Sequence, residues 1–496
     1  MYMTQTELTN LILQKNGTAS DSKVLKDAIN TFNSSPARKD MIDADAYYSV
    51  ENTAITNRVR QYYSQKSGWT KLSSAKNNKL IHGFYWMLVE QKIAYILGKK
   101  PTFTTENKET ETEFLPYFQT SEFHDLLRQW STNGSNAGVG WLHVYPDENG
   151  DFAANVIPSE QIIPIYDTRY EKNLVAVIRY FQKEYVGVNQ KELRYYVEWW
   201  TAKDVSIYEQ NQSGNFDKIE TKPHMVLGNT ANQIIKNATS WGKPPFVRLV
   251  NNRIKKSDLH FVKSLIDDYD KNRSDESNMI EETPNSFLAV KGYQGDVGNP
   301  DKAAMAIGNI RESKAAFLAV DGDITPISNE HPTQAIQQHE QNLKEDIFMF
   351  GMGVDFTNDK FGNAPSGIAM KFLYSNLDLK SNLLIQGLQF AIKELFAFYN
   401  YFLKLRYNKE YDTTDVEMIC NKSMLVNEME LIQMAAQSKG IVSDETILAN
   451  HPWVTNVDEE MKKMEKQNQV NMERAIETMR VQGGNDEKEI KDNEEE

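Results

Sequence analysis

The segment from Met349 to Arg406 constrains the fold of this chain more than any other. A glycine-studded stretch, GMGVDFTNDKFGNAPSG, runs directly into SGIAMKFLYSNLDLKSNLLIQGLQFAIKELFAFYNYFLKLR. Ser366 is placed to cap a helix that then continues for about 40 residues without a proline to break it. Unbroken, such a helix spans ~60 Å at ~1.5 Å per residue. One globular core does not cover that length, so the helix is expected to lie against other subunits or to join two domains. The pattern favours a component of an assembly over a self-contained catalyst.

A chain of 496 residues holds material for about two to four domains. Its 40% hydrophobic and 25% charged residues place it among ordinary globular proteins. Cys420 is the only cysteine, so no intrachain disulfide forms and a reducing cytoplasm suits the chain. The opening MYMTQTELTNLILQKN has neither a basic start nor a sufficient apolar run, so no secretory leader is expected. Leu383 to Leu405 is the most apolar stretch, but Gln386, Gln389, Lys393, Glu394 and Lys404 interrupt it, and a buried or interfacial helix is expected rather than a membrane span. The net charge of −14 argues against a conventional nucleic-acid binder, which needs Lys and Arg to displace phosphate counterions. Any DNA beside this surface is held weakly.

Residues 1–44 read as helical and polar, a peripheral arm. Lys79 to Leu97 reads as a helix with Leu80, Phe84, Met87, Leu88, Gln91 and Tyr95 on one side, ending at Gly98 with Pro101 beyond. Phe123 to Asn133 is a second, shorter helix. The runs WLHVY, ANVIP, VAVIRYF, RYYVEWW and DVSIYE read as strands divided by turn signals such as Asp147 to Gly150, which predicts an α+β region of antiparallel character. Ser257 to Glu282 is a helix with a narrow seam of Leu259, Val262, Ile266 and Tyr269 and a polar remainder. SFLAVKGY, DKAAMAIGNIR and AAFLAVDGDITPIS then suggest a small β-α-β unit, followed by a helix at Thr333 to Phe350 whose apolar face carries Ile336, Leu343, Ile347 and Phe350. Past Tyr411 a strand and several helices are expected. From Gly483 the tail is acidic and expected to be disordered.

Motifs for catalysis are missing. Nothing matches a phosphate-binding G-x-x-x-x-G-K-[ST] loop, and the GMG and GDVG fragments lack the strand–glycine–helix setting of a dinucleotide site. The eight histidines are scattered, His331 and His339 being the closest pair, and neither HExxH nor CxxC occurs, so no metal site and no cofactor is expected. Asp267, Asp268 and Asp270 have the chemistry to hold Mg²⁺ as a nuclease does, but a solvated helix face explains them more simply. Tyr47, Tyr48, Trp199, Trp200 and Trp241 are not interleaved with a basic stripe, which assigns them to packing rather than base stacking.

The phrase FGNAPSGIAMKFLY, with its glycine-bearing approach and long apolar sequel, resembles the core of the portal proteins of tailed double-stranded-DNA bacteriophages, of the siphophage type known from Bacillus phages. Further phrases agree in order: DAYYSVENTAITNR, EQKIAYILGKKPTF, GVGWLHVYPDENGDF, VAVIRYF, SDLHFVKSLIDDYDKNRSDESNMIEE, and toward the end NEMELIQ and SDETILANHPWV. The resemblance implies an α+β, ring-forming protomer with an α/β wing, a two-helix stem, a small β-α-β clip, a long kinked helix and a helical crown. Along this chain that gives an arm at 1–44, the first part of the wing at 45–256, stem helices at 257–282 and 333–350, and a clip at 283–332. A tunnel loop at 351–365, the long helix at 366–410, a crown at 411–475 and an acidic tail at 476–496 complete it. The tunnel loop would bring Val354, Asp355, Phe356, Thr357, Asn358, Asp359 and Lys360 nearest to DNA, with Gly351, Gly353 and Gly362 as hinges. In a ring, the acidic stem residues Asp267, Asp268, Asp270, Asp275, Glu276, Glu340, Glu345 and Asp346 would line the channel and repel the duplex. Implied partners are copies of the chain in a dodecamer, a terminase motor, a head–tail adaptor, scaffold and major capsid protein, and passing double-stranded DNA. Implied location is the portal vertex of a virion assembled in the bacterial cytoplasm, with no membrane and no enzymatic activity. A ring component of the head–tail connector that contacts protein only, and a metal-dependent nuclease, are the competing readings.

Overall fold

The computed structural model describes residues 20–64, 68–71, 76–167, 173–186, 191–228, 236–282, 287–293, 318–327, 333–356, 372–423, 428–449, 451, 453–454, 457 and 460–474. Residues 1–19, the cap position Ser366, the expected clip helix DKAAMAIGNIR and the acidic tail lie outside these. The chain divides into two compact units, one of Met1–Asp355 with Asn376–Ser423, the other of Phe356–Ser375 with Met424–Glu496.

In the larger unit the helices are α1 (Asp21–Asn33), α2 (Pro36–Tyr48), α3 (Thr53–Thr56), α4 (Phe84–Leu97), α5 (Ser121–Ala137), α6 (Lys263–Glu282), α7 (Thr333–Phe350) and α8 (Ser375–Tyr407). Two antiparallel sheets form its frame, beside the two-stranded pairs β1 (Gln61–Ser64) with β2 (Gly68–Lys71), β3 (Thr102–Thr104) with β16 (Glu417–Ile419), and β11 (Met225–Gly228) with β12 (Lys236–Thr239). Strands β6 (Ile162–Tyr166), β7 (Leu174–Val186), β8 (Lys191–Trp200), β9 (Asp204–Gln210) and β10 (Phe216–Pro223) pair in chain order as a five-stranded meander. Beside it, β4 (Val139–Pro146) is flanked by β5 (Phe152–Ile157) and β13 (Phe246–Val250). Strand periodicity sorts the side chains: Ala176, Ile178 and Tyr180 enter one core, while the intervening Val177 enters the other, shared with Trp141, Ile157 and Phe246. The Asp147–Gly150 turn closes the β4–β5 hairpin as its residues predict, with Asp147 Oδ1 accepting from the Asn149 and Asp151 amides and Gly150 at φ 76°.

The N-terminal arm expectation does not hold for residues 20–44. Ser20 caps α1 by accepting from the Lys23 amide, and Val24, Leu25, Ala28 and Ile29 are buried in the core formed with the five-stranded sheet. Polar contacts fix the register, Tyr208 Oη donating to Asp21 Oδ2 at 2.7 Å and Tyr180 Oη to Asn33 Oδ1 at 2.6 Å. The apolar residues are few but perfectly spaced, so the low overall hydrophobicity of the segment hid a core helix.

Helix α4 is buried over most of its circumference, as a predominantly apolar helix should be. Helix α8 runs unbroken for 33 residues, or about 50 Å. Leu377, Ser381, Leu384, Leu388, Ala391, Leu395, Phe398 and Phe402 recur at alternating intervals of four and three and are all buried, so one stripe packs along the entire helix. Gly387 lets α8 cross the end of β13, where a Cβ would stand 2.2 Å from the Val250 carbonyl oxygen. Strand β14 (Phe287–Tyr293) pairs antiparallel with β15 (Leu318–Ile327), Phe287 opposite Ile327. The smaller unit contains α9 (Glu428–Gln437), α10 (Asp444–Ala449) and a helical run at 460–474, and α10 buries none of its residues.

Candidate functional site

The paired helices α6 and α7 carry the predicted acidic residues. Leu259, Val262 and Ile266 are wholly buried beneath them, as the narrow seam predicts, whereas on α7 Phe348 is buried and Phe350, expected inside, is 55% exposed. Most of the carboxylates are already engaged within the protomer. Asp267 accepts from Tyr47 Oη and from Lys263 Nζ at 2.8 Å; burial and that carboxylate together raise the Tyr47 phenol. Asp275 takes a two-pronged bond from Arg58 at 2.7 and 2.8 Å. Arg273 joins Glu276 on its own helix to Glu340 on α7, the latter at 3.2 Å, and Asp268 meets His339 Nε2 at 3.0 Å. Glu345 accepts from Gln341 at 2.7 Å and is exposed; Asp346 is half-buried.

Asp270 departs most from expectation. Its side chain has no exposed surface, because it accepts from Asn52 Nδ2, from the His82 amide at 3.1 Å and from His82 Nδ1 at 2.7 Å. A carboxylate so placed ties two irregular segments to α6 and faces no open space. Glu340, only 8% exposed, likewise belongs to the helix interface. Asp267, Asp268 and Asp270 each turn to a different partner, and among the described residues no cluster of His, Cys, Asp or Glu could hold a metal ion.

The start of the glycine-rich stretch is anchored by hydrogen bonds and close packing. Helix α7 ends in a Schellman motif, the Gly353 amide donating to the Phe348 carbonyl at 2.9 Å and the Met352 amide to the Met349 carbonyl at 3.2 Å. Its left-handed residue is Met352, at φ 53°, and neither neighbouring glycine has positive φ. Gly351 and Gly353 are there because Leu88 on α4 lies against them: a Cβ would come within 2.6 Å of Leu88 Cδ1 and 2.3 Å of Leu88 Cδ2 respectively. Gln91 then clamps the Val354 backbone with two bonds of 2.8 and 2.9 Å, Val354 is 3% exposed, and Asp355 pairs with Lys344 at 3.4 Å. Val354 and Asp355 are therefore a buried root. Phe356, 44% exposed, makes an edge contact with Tyr374 at 6.4 Å. Thr357, Asn358, Asp359, Lys360 and Gly362 lie outside the described residues.

A buried charge network below this root was not foreseen. Lys92, with no exposed surface, donates to Asp258 Oδ2 at 2.6 Å and Asn251 Oδ1 at 2.8 Å, while Asn251 Nδ2 donates to Asp258 Oδ1 at 2.8 Å. Lys380 of α8 reaches Asp258 at 3.2 Å and donates to the Gly351 carbonyl at 2.9 Å. Burial pulls the Lys92 ammonium down to about 8 against the opposing pull of Asp258. Burial alone would raise the Asp258 carboxyl, but Lys380 and Lys92 overcome it and hold the group at about 2. These residues come from four distant parts of the chain. The one local signal was the buried lysine inside FYWMLVEQKIAYIL, a predominantly apolar helix.

The network ties α4 and α8 to the segment that precedes α6 and to the residue that follows α7. Among the described residues no helix is long and apolar enough to cross a membrane. Comparison with known proteins supplies the context. The chain is 25% identical over 495 residues to the portal protein of Bacillus phage SPP1, covering 98% of this chain and 94% of that one. It is 29% identical over 433 residues to the portal protein of Clostridium phage phiCD119, covering 85% and 91%. Two solved neck structures of gene-transfer-agent (GTA) particles align as well. The neck of a native particle, with C12 symmetry, has a TM-score of 0.38 at 11% identity over 74% of this chain and 89% of that one. The neck of an empty particle, with C6 symmetry, has 0.40 at 10% identity over 79% and 96%. The family model for phage portal proteins of the SPP1 Gp6-like type matches residues 34–474. A match of that extent takes in both sheets, the α6–α7 pair, the buried charge network and α8, and the chain therefore belongs to the SPP1 Gp6-like phage portal proteins, structural components of the virion rather than enzymes.

Proposed function

We propose that copies of this chain close into a ring, by family resemblance a dodecamer, whose axial channel admits DNA during packaging and releases it during ejection. The family match over residues 34–474 carries this reading. In it, α6 and α7 form the stem, β14 and β15 belong to the clip, and the segment rooted at Val354 and Asp355 projects toward the duplex. Lys360 is then the loop cation that meets phosphate. Of the helix pair's carboxylates, the partly exposed Asp268, Asp275 and Glu276 face the channel side and keep the duplex from adhering. A separate terminase supplies the motor, an adaptor follows it on the clip, and scaffold and major capsid protein hold the ring in the shell. Assembly takes place in the bacterial cytoplasm.

Electron microscopy of the purified protein, viewed down the symmetry axis, tests the ring. A closed ring of about a dozen subunits, with a hole wide enough for the ~20 Å duplex implied by B-form groove dimensions, is expected. Monomers or closed dimers at high concentration would overturn it. A Lys360→Ala particle that packages and retains DNA normally would remove the role given to that residue.

A further inference from the structure

The connection from β13 to α6 carries a feature that neither the core nor the channel reading uses. Arg253, Ile254 and Lys255 stand exposed at its tip, Ile254 by 61%, and Phe261 at its end is 47% exposed. The backbone beneath them is rigidly held. Asn252 bonds the Lys256 carbonyl at 2.7 Å and the Lys256 amide at 3.1 Å, and Gly138, at φ 78°, lies so close that a Cβ there would be 2.5 Å from the Lys255 carbonyl oxygen. Lys255 itself is left-handed, at φ 55°. The tip is thus exposed and held in one backbone conformation, which lowers the ordering cost of a contact made there. Among the described residues no carboxylate pairs with Arg253 or Lys255, although the chain carries a net charge of −14.

The last two turns of α7 have the complementary character. Met349 and Phe350 are 62% and 55% exposed, and Glu345 and Asp346 lie one turn before them on the same two rows of the helix. Each patch thus has an apolar centre beside charge, basic in one and acidic in the other. We infer that the Arg253–Lys255 tip of one protomer docks on the Glu345–Phe350 face of a second copy of the chain. Two different patches that match each other make a head-to-tail contact, the kind that closes rings, so the inference rests on the ring reading above. Opposed charges fix orientation and speed encounter, while Ile254 and Phe261 against Met349 and Phe350 exclude water.

The test uses two full-length variants, Arg253→Glu with Lys255→Glu, and Glu345→Lys with Asp346→Lys, and reads ring formation by mass photometry. Each alone places like charges on both sides of the contact and is expected to lose at least about tenfold of its ring population. Unchanged thermal midpoints show that the protomers fold. Mixed together, the two variants can alternate around a ring, tip against face, and assembly is expected to return. Rings from either variant alone, or folded variants that fail to assemble when mixed, overturn the contact. Absence of rings in the unsubstituted protein overturns the ring reading, and this contact with it.

Discussion

Gly353 shows how one missing atom sets the course of the chain. Because Leu88 is 1% exposed, it has no room to withdraw from a new methyl group. Gly353→Ala is expected to cost about 1–3 kcal/mol in chemical denaturation, and the increment should shrink in a Leu88→Ala background. Asp258 is the second decisive residue. Asp258→Asn leaves two buried or half-buried ammonium groups without their anion and should destabilise the protomer by about 3–5 kcal/mol. The pH dependence has a definite sign. The folded carboxyl, at about 2, lies below its ordinary 3.8, so the stability it confers is present above about pH 4 and is lost as pH falls toward 2. Denaturation midpoints measured from pH 5 to pH 2 should therefore fall less steeply in Asp258→Asn than in the unsubstituted chain.

At the scale of elements, α8 carries two kinds of apolar residue that sequence alone treats as one. Leu388 belongs to the buried stripe and is fully covered, whereas Phe390, two positions on, is 78% exposed. Leu388→Ala should cost about 2–5 kcal/mol, and Phe390→Ser should leave the unfolding midpoint of the isolated protomer within about 0.5 kcal/mol. Urea titration of both variants separates the two classes. The same distinction holds for α6 and the turn that precedes it, where the seam at Leu259, Val262 and Ile266 was legible from spacing. The charged remainder, which read as a uniform solvated face, resolves into Asp270 buried against Asn52 and His82, and Asp275 gripped by Arg58. Binary pattern distinguishes apolar from polar but carries no record of which distant segment returns to satisfy a given carboxylate.

For the whole molecule, the acidity that argued against tight DNA binding leads to a direct expectation. At about 0.15 M salt the purified protein should not shift a linear duplex in a gel, and a slope of log affinity against log salt near zero would follow from few phosphate contacts. A steep negative slope would mean a basic DNA-contacting surface that the charge balance does not predict. Periodicity by itself determined the long helix, the apolar seam leading into α6 and the antiparallel strands, while the resemblance of the ordered phrases pointed to the portal family. Those signals are local, each spelled within about thirty contiguous residues. Tertiary structure alone decided that Val24, Leu25, Ala28 and Ile29 join the core, that Gly351 and Gly353 lie against Leu88, and that Lys92, Asp258 and Lys380 meet. Each of those depends on close approach between segments far apart in the chain, and the free energy of such an approach is set by burial and shape at the meeting point, which no local pattern encodes.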